Sequence, residues 1–191
     1  MESKEVKKVL ILAYDFPPYV SVGGLRPFAW YKYLKSYDIY PIVVTRQWNN
    51  LHGNNLDYII PSQSKDVIIE NTEYGTIIKT PYKPTLSNSL LLKYGEKKAK
   101  FIRKLITGYF EIFQWFFLHV GSKKNIYIYA KQYLKNNKVD VIIATGEPFI
   151  LFKYASTLSR LYSIPWIADY RDPWSSGLEY SKNYFLKKIN S

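Results

Sequence analysis

Ile164-Pro165-Trp166-Ile167-Ala168-Asp169-Tyr170-Arg171-Asp172-Pro173-Trp174 decides how this chain folds. A short apolar strand over 166–169 runs into a loop that carries Asp169, Arg171, Asp172 and Trp174. Ending a strand in carboxylates and a guanidinium is how an open α/β sheet builds a ligand site. Ligands bind in the crevice beyond the carboxyl ends of such strands.

Working outward, the same design stands twice more. Leu10-Ile11-Leu12-Ala13-Tyr14 leads into Asp15-Phe16-Pro17-Pro18 and then Gly23-Gly24-Leu25-Arg26. A strand over 139–145 leads into Gly146-Glu147-Pro148-Phe149. The strand before Asp15 spans 6–14 and reads as buried on both faces. Pro17-Pro18 takes the chain out of the sheet, since proline cannot extend a central strand. The Gly pair opens a helix over 25–37, with Phe28, Tyr31 and Leu34 on one face. A second buried strand covers 39–45, and the Asn-rich stretch 46–66 is a long loop. Two short strands at 67–70 and 76–80 flank a turn at Glu73-Tyr74-Gly75. Helices follow over 90–118, 123–137 and 149–162, and a last one begins at 178. Strands alternating with helices predict a Rossmann-like, doubly wound, mostly parallel sheet.

Composition narrows the classes. At 191 residues the chain is one domain with room for a core, and 47% hydrophobic residues make it globular. The absence of cysteine excludes disulfides and thiolate chemistry and suits a reducing cytoplasm. The charged start, 1–8, is unlike a secretory signal. No apolar run reaches the roughly eighteen residues a membrane span needs. The net charge of +12 suits anionic lipid or phosphorylated ligands, and also follows from a Lys-, Asn- and Tyr-rich composition. No helix-turn-helix, RRM or zinc pattern accompanies it, so nucleic acid is not the expected partner.

The strand-end residues admit specific chemistry. Gly23 and Gly24 let backbone approach a ligand, and a helix amino terminus offers N–H groups to phosphate, with Arg26 adding charge. The spaced third glycine of the dinucleotide fingerprint is missing, which argues against a nicotinamide cofactor. Pro148 starts the next helix, and Glu147 either favours its dipole or faces the crevice and binds a hydroxyl. Asp169 and Asp172 are candidate bases or hydroxyl acceptors and Arg171 an anion clamp. Alternatively an internal Arg–Asp pair braces the loop, with Trp166 in the core and Trp174 as a lid.

These loops, in this order and spacing, resemble the N-terminal half of GT-B fold glycosyltransferases, family 4-like. The matching pieces are Tyr14-Asp15-Phe16-Pro17-Pro18, Gly23-Gly24-Leu25-Arg26, Thr145-Gly146-Glu147-Pro148 and the 164–174 stretch, so the likeness spans about residues 6 to 177. The resemblance implies retaining sugar transfer from a UDP- or GDP-linked donor to a cell-surface glycan or lipid-linked precursor. It assigns Gly23, Gly24 and Arg26 to the donor phosphates. Glu147, Asp169, Arg171, Asp172 and Trp174 fall to the acceptor. No metal and no tightly bound cofactor is expected. Two departures stand out. The donor-binding pair of glutamates eight positions apart is missing, because no Glu here has another at that distance. The histidine many members carry near the strand end is replaced by Ala144-Thr145-Gly146. The catalytic residue is therefore unassigned, with Asp172 and Asp169 as candidates. The expectation is an N-terminal GT-B domain over 1–191, incomplete at its carboxyl end and inactive alone, its donor-binding domain missing or supplied separately. The alternative is a non-catalytic glycan- or membrane-binding module, or one chain of a split enzyme.

One further segment stands apart. On a helical wheel of 97–117, Lys97, Lys100, Lys104, Thr107, Glu111 and Gln114 share a narrow face. Phe101, Ile102, Leu105, Tyr109, Ile112 and Phe116 belong to a broad apolar one. Lys97, Lys100, Arg103, Lys104 and Trp115 are the expected contacts with an anionic membrane, on the inner face of which the protein would sit peripherally. The competing reading is a sheet-covering helix with its apolar stripe in the core.

Overall fold

A computed structural model of the chain describes residues 6–49 and 55–170. Arg171, Asp172, Trp174 and the helix expected from 178 lie outside the described residues. In chain order the elements are β1 (Lys7–Leu12), α1 (Val22–Tyr33), β2 (Ile39–Arg46), β3 (Ile68–Asn71), β4 (Thr76–Thr80), α2 (Leu86–Tyr94), α3 (Lys100–Phe116), α4 (Lys124–Asn136), β5 (Val141–Thr145), α5 (Ile150–Tyr162) and β6 (Trp166–Asp169). Short 3-10 turns occupy Leu34–Tyr37 and Asn55–Ile59.

The strands form one six-stranded sheet in the order β3-β4-β2-β1-β5-β6. All pairs are parallel except the β3–β4 hairpin. Strand period two sends alternate residues to opposite faces. Leu10, Leu12, Ile42, Val44, Ile142 and Ala144 therefore meet α4 and α5 through Ile126, Ala130, Leu151, Tyr154 and Leu158. Val9, Ile11 and Val43 meet α1 through Phe28 and Tyr31, and the turn after it through Leu34. Helices thus cover both faces of a mostly parallel sheet, the Rossmann-like arrangement expected. The order of the sheet reverses direction between β1 and β5, the place where open α/β sheets bind ligands beyond the carboxyl ends of their strands.

Three local expectations need correction. First, the helix expected over 90–118 is two helices. α2 stops where Gly95 takes φ +77°, a left-handed conformation that glycine adopts without strain, and α3 starts five residues later. Second, α1 starts at Val22, so the Gly pair lies inside its first turn, and Ser21 caps it by accepting from Gly24 N–H at 3.0 Å. Third, α5 starts at Ile150, and Pro148 sits in the turn before it, its carbonyl accepting from Leu151 N–H at 3.1 Å.

α3 does not cover the sheet. Its apolar half faces outward, with Phe101, Ile102, Leu105, Tyr109, Ile112 and Phe116 all exposed, Phe116 at 76%. Of its polar stripe, Lys100, Lys104, Thr107 and Glu111 are also exposed, and contact with α2 is made at a few points. Thr107 bonds Ser87 of α2 at 2.9 Å, the Ser87 hydroxyl donates to the Arg103 carbonyl at 3.1 Å, and Gln114 is buried. The sheet-covering reading of this segment is overturned, because the large apolar side chains it needs in the core are exposed, while its lysines lie in water as that reading had them. No described helix is long and apolar enough to cross a membrane.

Candidate functional site

The crevice at the end of β1 is built from the capped start of α1. The Ser21 hydroxyl accepts from Gly24 N–H and donates to Asp15 Oδ2 at 2.7 Å, so one side chain ties the β1 loop to the helix. Gly24 lies close over that loop, where a Cβ would sit 3.5 Å from the Asp15 carbonyl and the Phe16 nitrogen. That is ordinary contact, and Gly24 is itself buried with its N–H held by Ser21.

Arg26, one turn into α1, forms an ion pair with Asp169 at the end of β6. The Asp169 carbonyl in turn accepts from Gly146 N–H at 3.0 Å. The three strand-end loops are thereby linked in one chain of contacts: Asp15–Ser21–Gly24, Arg26–Asp169, Asp169–Gly146. Arg26 is half exposed, while Asp169 keeps only 16% of its side chain accessible. Asp169 is thus a braced carboxylate facing a cation that remains open to solvent. An Arg–Asp pair joins α1 to β6 here, while the pair expected within the 169–174 loop involves Arg171 and Asp172, which lie outside the described residues.

Gly146 is buried, and a Cβ there would lie 2.9 Å from the Phe149 ring and 3.1 Å from Phe152, so the turn is closed by aromatic packing. Glu147 is exposed beside it. Gly23, Gly24, Arg26, Glu147 and Asp169 gather at the carboxyl edge of β1, β5 and β6. Lys97, Lys100, Arg103, Lys104 and Trp115 lie apart from this crevice, on or just before α3.

Sequence reasoning missed Arg46. It ends β2 only 3% exposed. Its guanidinium donates to the carbonyls of Tyr58 at 2.8 Å and Ile60 at 2.9 Å and to the Tyr14 hydroxyl at 3.1 Å. It also lies over the Trp48 ring at 3.9 Å and the Tyr82 ring at 3.6 Å. Tyr19 stacks on Trp48 at 4.1 Å, and the Trp48 indole donates to the Tyr14 carbonyl at 2.9 Å. This cation and its aromatic shell fix the loop after β2 against the end of β1, and so form the wall beside Asp15. The available signal was an arginine prolonging a buried strand, which the polar loop after it masked. Burial pushes the Tyr14 and Tyr58 phenols well above their ordinary range, the Arg46 charge opposing the shift in both. Ser21 was also missed, although a serine just before a helix start is a recognisable cap.

Among the described residues no group of three or more His, Asp or Glu is placed to hold a metal. No protein-family model matches the sequence, and no curated protein matches it.

Proposed function

We propose that the chain is the acceptor-side domain of a family 4-like, retaining GT-B glycosyltransferase, working on a cell-surface glycan or lipid-linked precursor with a UDP- or GDP-sugar donor. One observation carries the reading: the capped start of α1, Arg26, Asp169 and the Gly146–Glu147 turn converge at the point where the strand order reverses. A diphosphate seated there meets the amino-terminal N–H groups of α1 and the exposed guanidinium of Arg26. Both stabilise the charge that develops on the leaving group. A phosphate must compete with Asp169 for Arg26. Donor arrival would then release the Asp169 carboxylate towards the acceptor, beside Glu147. Turnover requires a donor-binding domain, in further sequence or on a second chain.

Amide chemical-shift mapping of the isotope-labelled chain tests this. UDP-glucose, GDP-mannose and a short polyprenyl-diphosphate sugar are titrated in turn. Shifts confined to Gly23, Gly24, Arg26, Gly146 and Asp169 are expected with at least one of them. Arg26→Ala should weaken that binding roughly tenfold, the weight of one hydrogen bond to a charged group. No shift at these amides with any of the probes would refute the reading. Sugar transfer by the purified chain would refute the need for a second domain.

A further inference from the structure

More exposed large apolar side chains sit on α3 than on any other described element. Phe101, Ile102, Leu105, Tyr109, Ile112 and Phe116 are each more than half exposed. At about 200 Å² for a large side chain, these six present on the order of 700 Å² of surface. The largest apolar patch of a monomer is roughly 300–600 Å². One side of a stable protein complex buries roughly 800 Å².

A regular strip runs through this surface. Phe101, Leu105, Gly108, Ile112 and Trp115 follow one another by alternating steps of four and three residues. Such spacing lets one helix present a continuous strip to a second helix. Gly108 is the odd member. It is exposed in mid-helix, and a Cβ there would meet nothing within 4 Å. No neighbour in this fold requires glycine at that position, although glycine weakens a helix interior. A gap in the middle of an apolar strip fits a large side chain arriving from another helix.

Charge selects the direction of that helix. Lys104 and Glu111 border the strip on one side, each one position before an apolar member, Leu105 or Ile112. Lys100, Arg103 and Lys104 make the amino-terminal half of α3 basic, and Glu111 is its one acid. A second copy laid parallel sets lysine against lysine. Laid antiparallel, it sets Lys104 of each copy against Glu111 of the other, and Leu105 of each over Gly108 of the other. Glu111 bonds Gln114 and lies 3.7 Å from Lys123, yet its side chain is more than half exposed. The contact is self-complementary, as a two-fold dimer of identical chains requires. A lipid surface uses neither the gap at Gly108 nor the acid at Glu111.

We propose that the outward face of α3 binds a second copy of this chain, helix against antiparallel helix, crossing at Gly108. This goes beyond the sugar-transfer reading and does not depend on it, because the crevice lies on other elements.

Sedimentation equilibrium of the chain at micromolar concentration tests this, and a monomer–dimer equilibrium is expected. Leu105→Asp and Ile112→Asp should each weaken it on the order of a hundredfold, since each puts a carboxylate from both copies into apolar contact. Gly108→Leu adds apolar surface and helix propensity, yet should weaken it about tenfold by filling the gap. Lys104→Glu and Glu111→Lys should each weaken it about fivefold, and the two combined in one chain should restore it. The chain has no cysteine, so direction is readable by oxidative cross-linking. Lys104→Cys mixed with Glu111→Cys should give a disulfide-linked pair, and Lys104→Cys alone should give none. All these positions are exposed in the single chain, and an unchanged far-ultraviolet dichroism spectrum confirms folding of each variant. A chain that stays monomeric overturns the proposal. So does a dimer that both aspartate variants leave intact, which would place the interface elsewhere. A Gly108→Leu dimer as tight as wild type removes the crossing, and Lys104→Cys linked to itself means parallel helices; either overturns it. A monomer that instead sediments with phosphatidylglycerol vesicles gives the face to lipid and overturns it as well.

Discussion

Two buried side chains carry opposite lessons about polar groups in this core. The Tyr154 hydroxyl is shielded from solvent and has no hydrogen-bond partner among the described residues. A buried hydroxyl without a partner costs its desolvation and returns nothing. Tyr154→Phe should therefore leave stability unchanged or raise it by about 1 kcal/mol, read as the midpoint of urea unfolding. Arg46 is the reverse case, because its guanidinium satisfies two loop carbonyls and a phenol. Arg46→Met keeps the bulk over Trp48 and Tyr82 but strands those acceptors. It should cost about 3 kcal/mol in the same measurement. Neither position announces its role in sequence. A tyrosine in an apolar helix stripe and an arginine after a strand both read as routine, and only the neighbours brought by folding separate one from the other.

At the scale of elements, the β3–β4 hairpin shows how tightly the sheet edge is set. Thr72 N–H donates to the Gly75 carbonyl at 2.9 Å, closing the turn, and β4 then pairs with β2 from Thr76 onward. A Cβ on Gly75 would lie 2.3 Å from the Pro41 carbonyl oxygen, a backbone atom that cannot swing aside. Gly75→Ala should force the hairpin away from β2 and cost about 3 kcal/mol, the upper end for overpacking. A fall in the urea midpoint of less than about 1 kcal/mol equivalent would show that the hairpin is looser than this packing requires. The turn itself was legible in Glu73-Tyr74-Gly75, but not the reason glycine must be there, which is contact with a strand more than thirty residues earlier. α3 makes the same point more strongly. Its amphipathic pattern was clear from the lysines and phenylalanines, yet the pattern does not say which face meets the protein. α2 meets the helix through Ser87, which bonds Thr107 and the Arg103 carbonyl, and leaves the large apolar side chains exposed.

For the whole molecule, buried phenols give a stability that depends on alkaline pH. Burial raises Tyr14, Tyr58 and Tyr154 above the ordinary tyrosine value. The unfolded chain sheds these protons above about pH 10, while the folded chain still holds them. Their contribution is therefore complete below pH 10 and is lost as pH rises through the folded values. Each group adds about 1.4 kcal/mol of loss per pH unit in that window. Urea unfolding followed across it should show a flat region and then a decline. Tyr154→Phe should make the decline shallower by one group's share, which separates the phenols from lysines that titrate nearby. An unchanged slope would mean that Tyr154 is not held neutral by the fold.

Periodicity and strand-end chemistry by themselves determined the α/β class, most element positions and the three loops that meet in the crevice. They suffice because a strand buried on both faces and a helix with one apolar stripe leave different spacings in the chain. Only the tertiary structure decided the partners: Arg26 with Asp169, Arg46 with the carbonyls of Tyr58 and Ile60, and Ser87 of α2 with Thr107 and Arg103 of α3. Those choices depend on which groups fold into hydrogen-bonding distance across tens to more than a hundred residues, and no local pattern encodes a contact made at that separation.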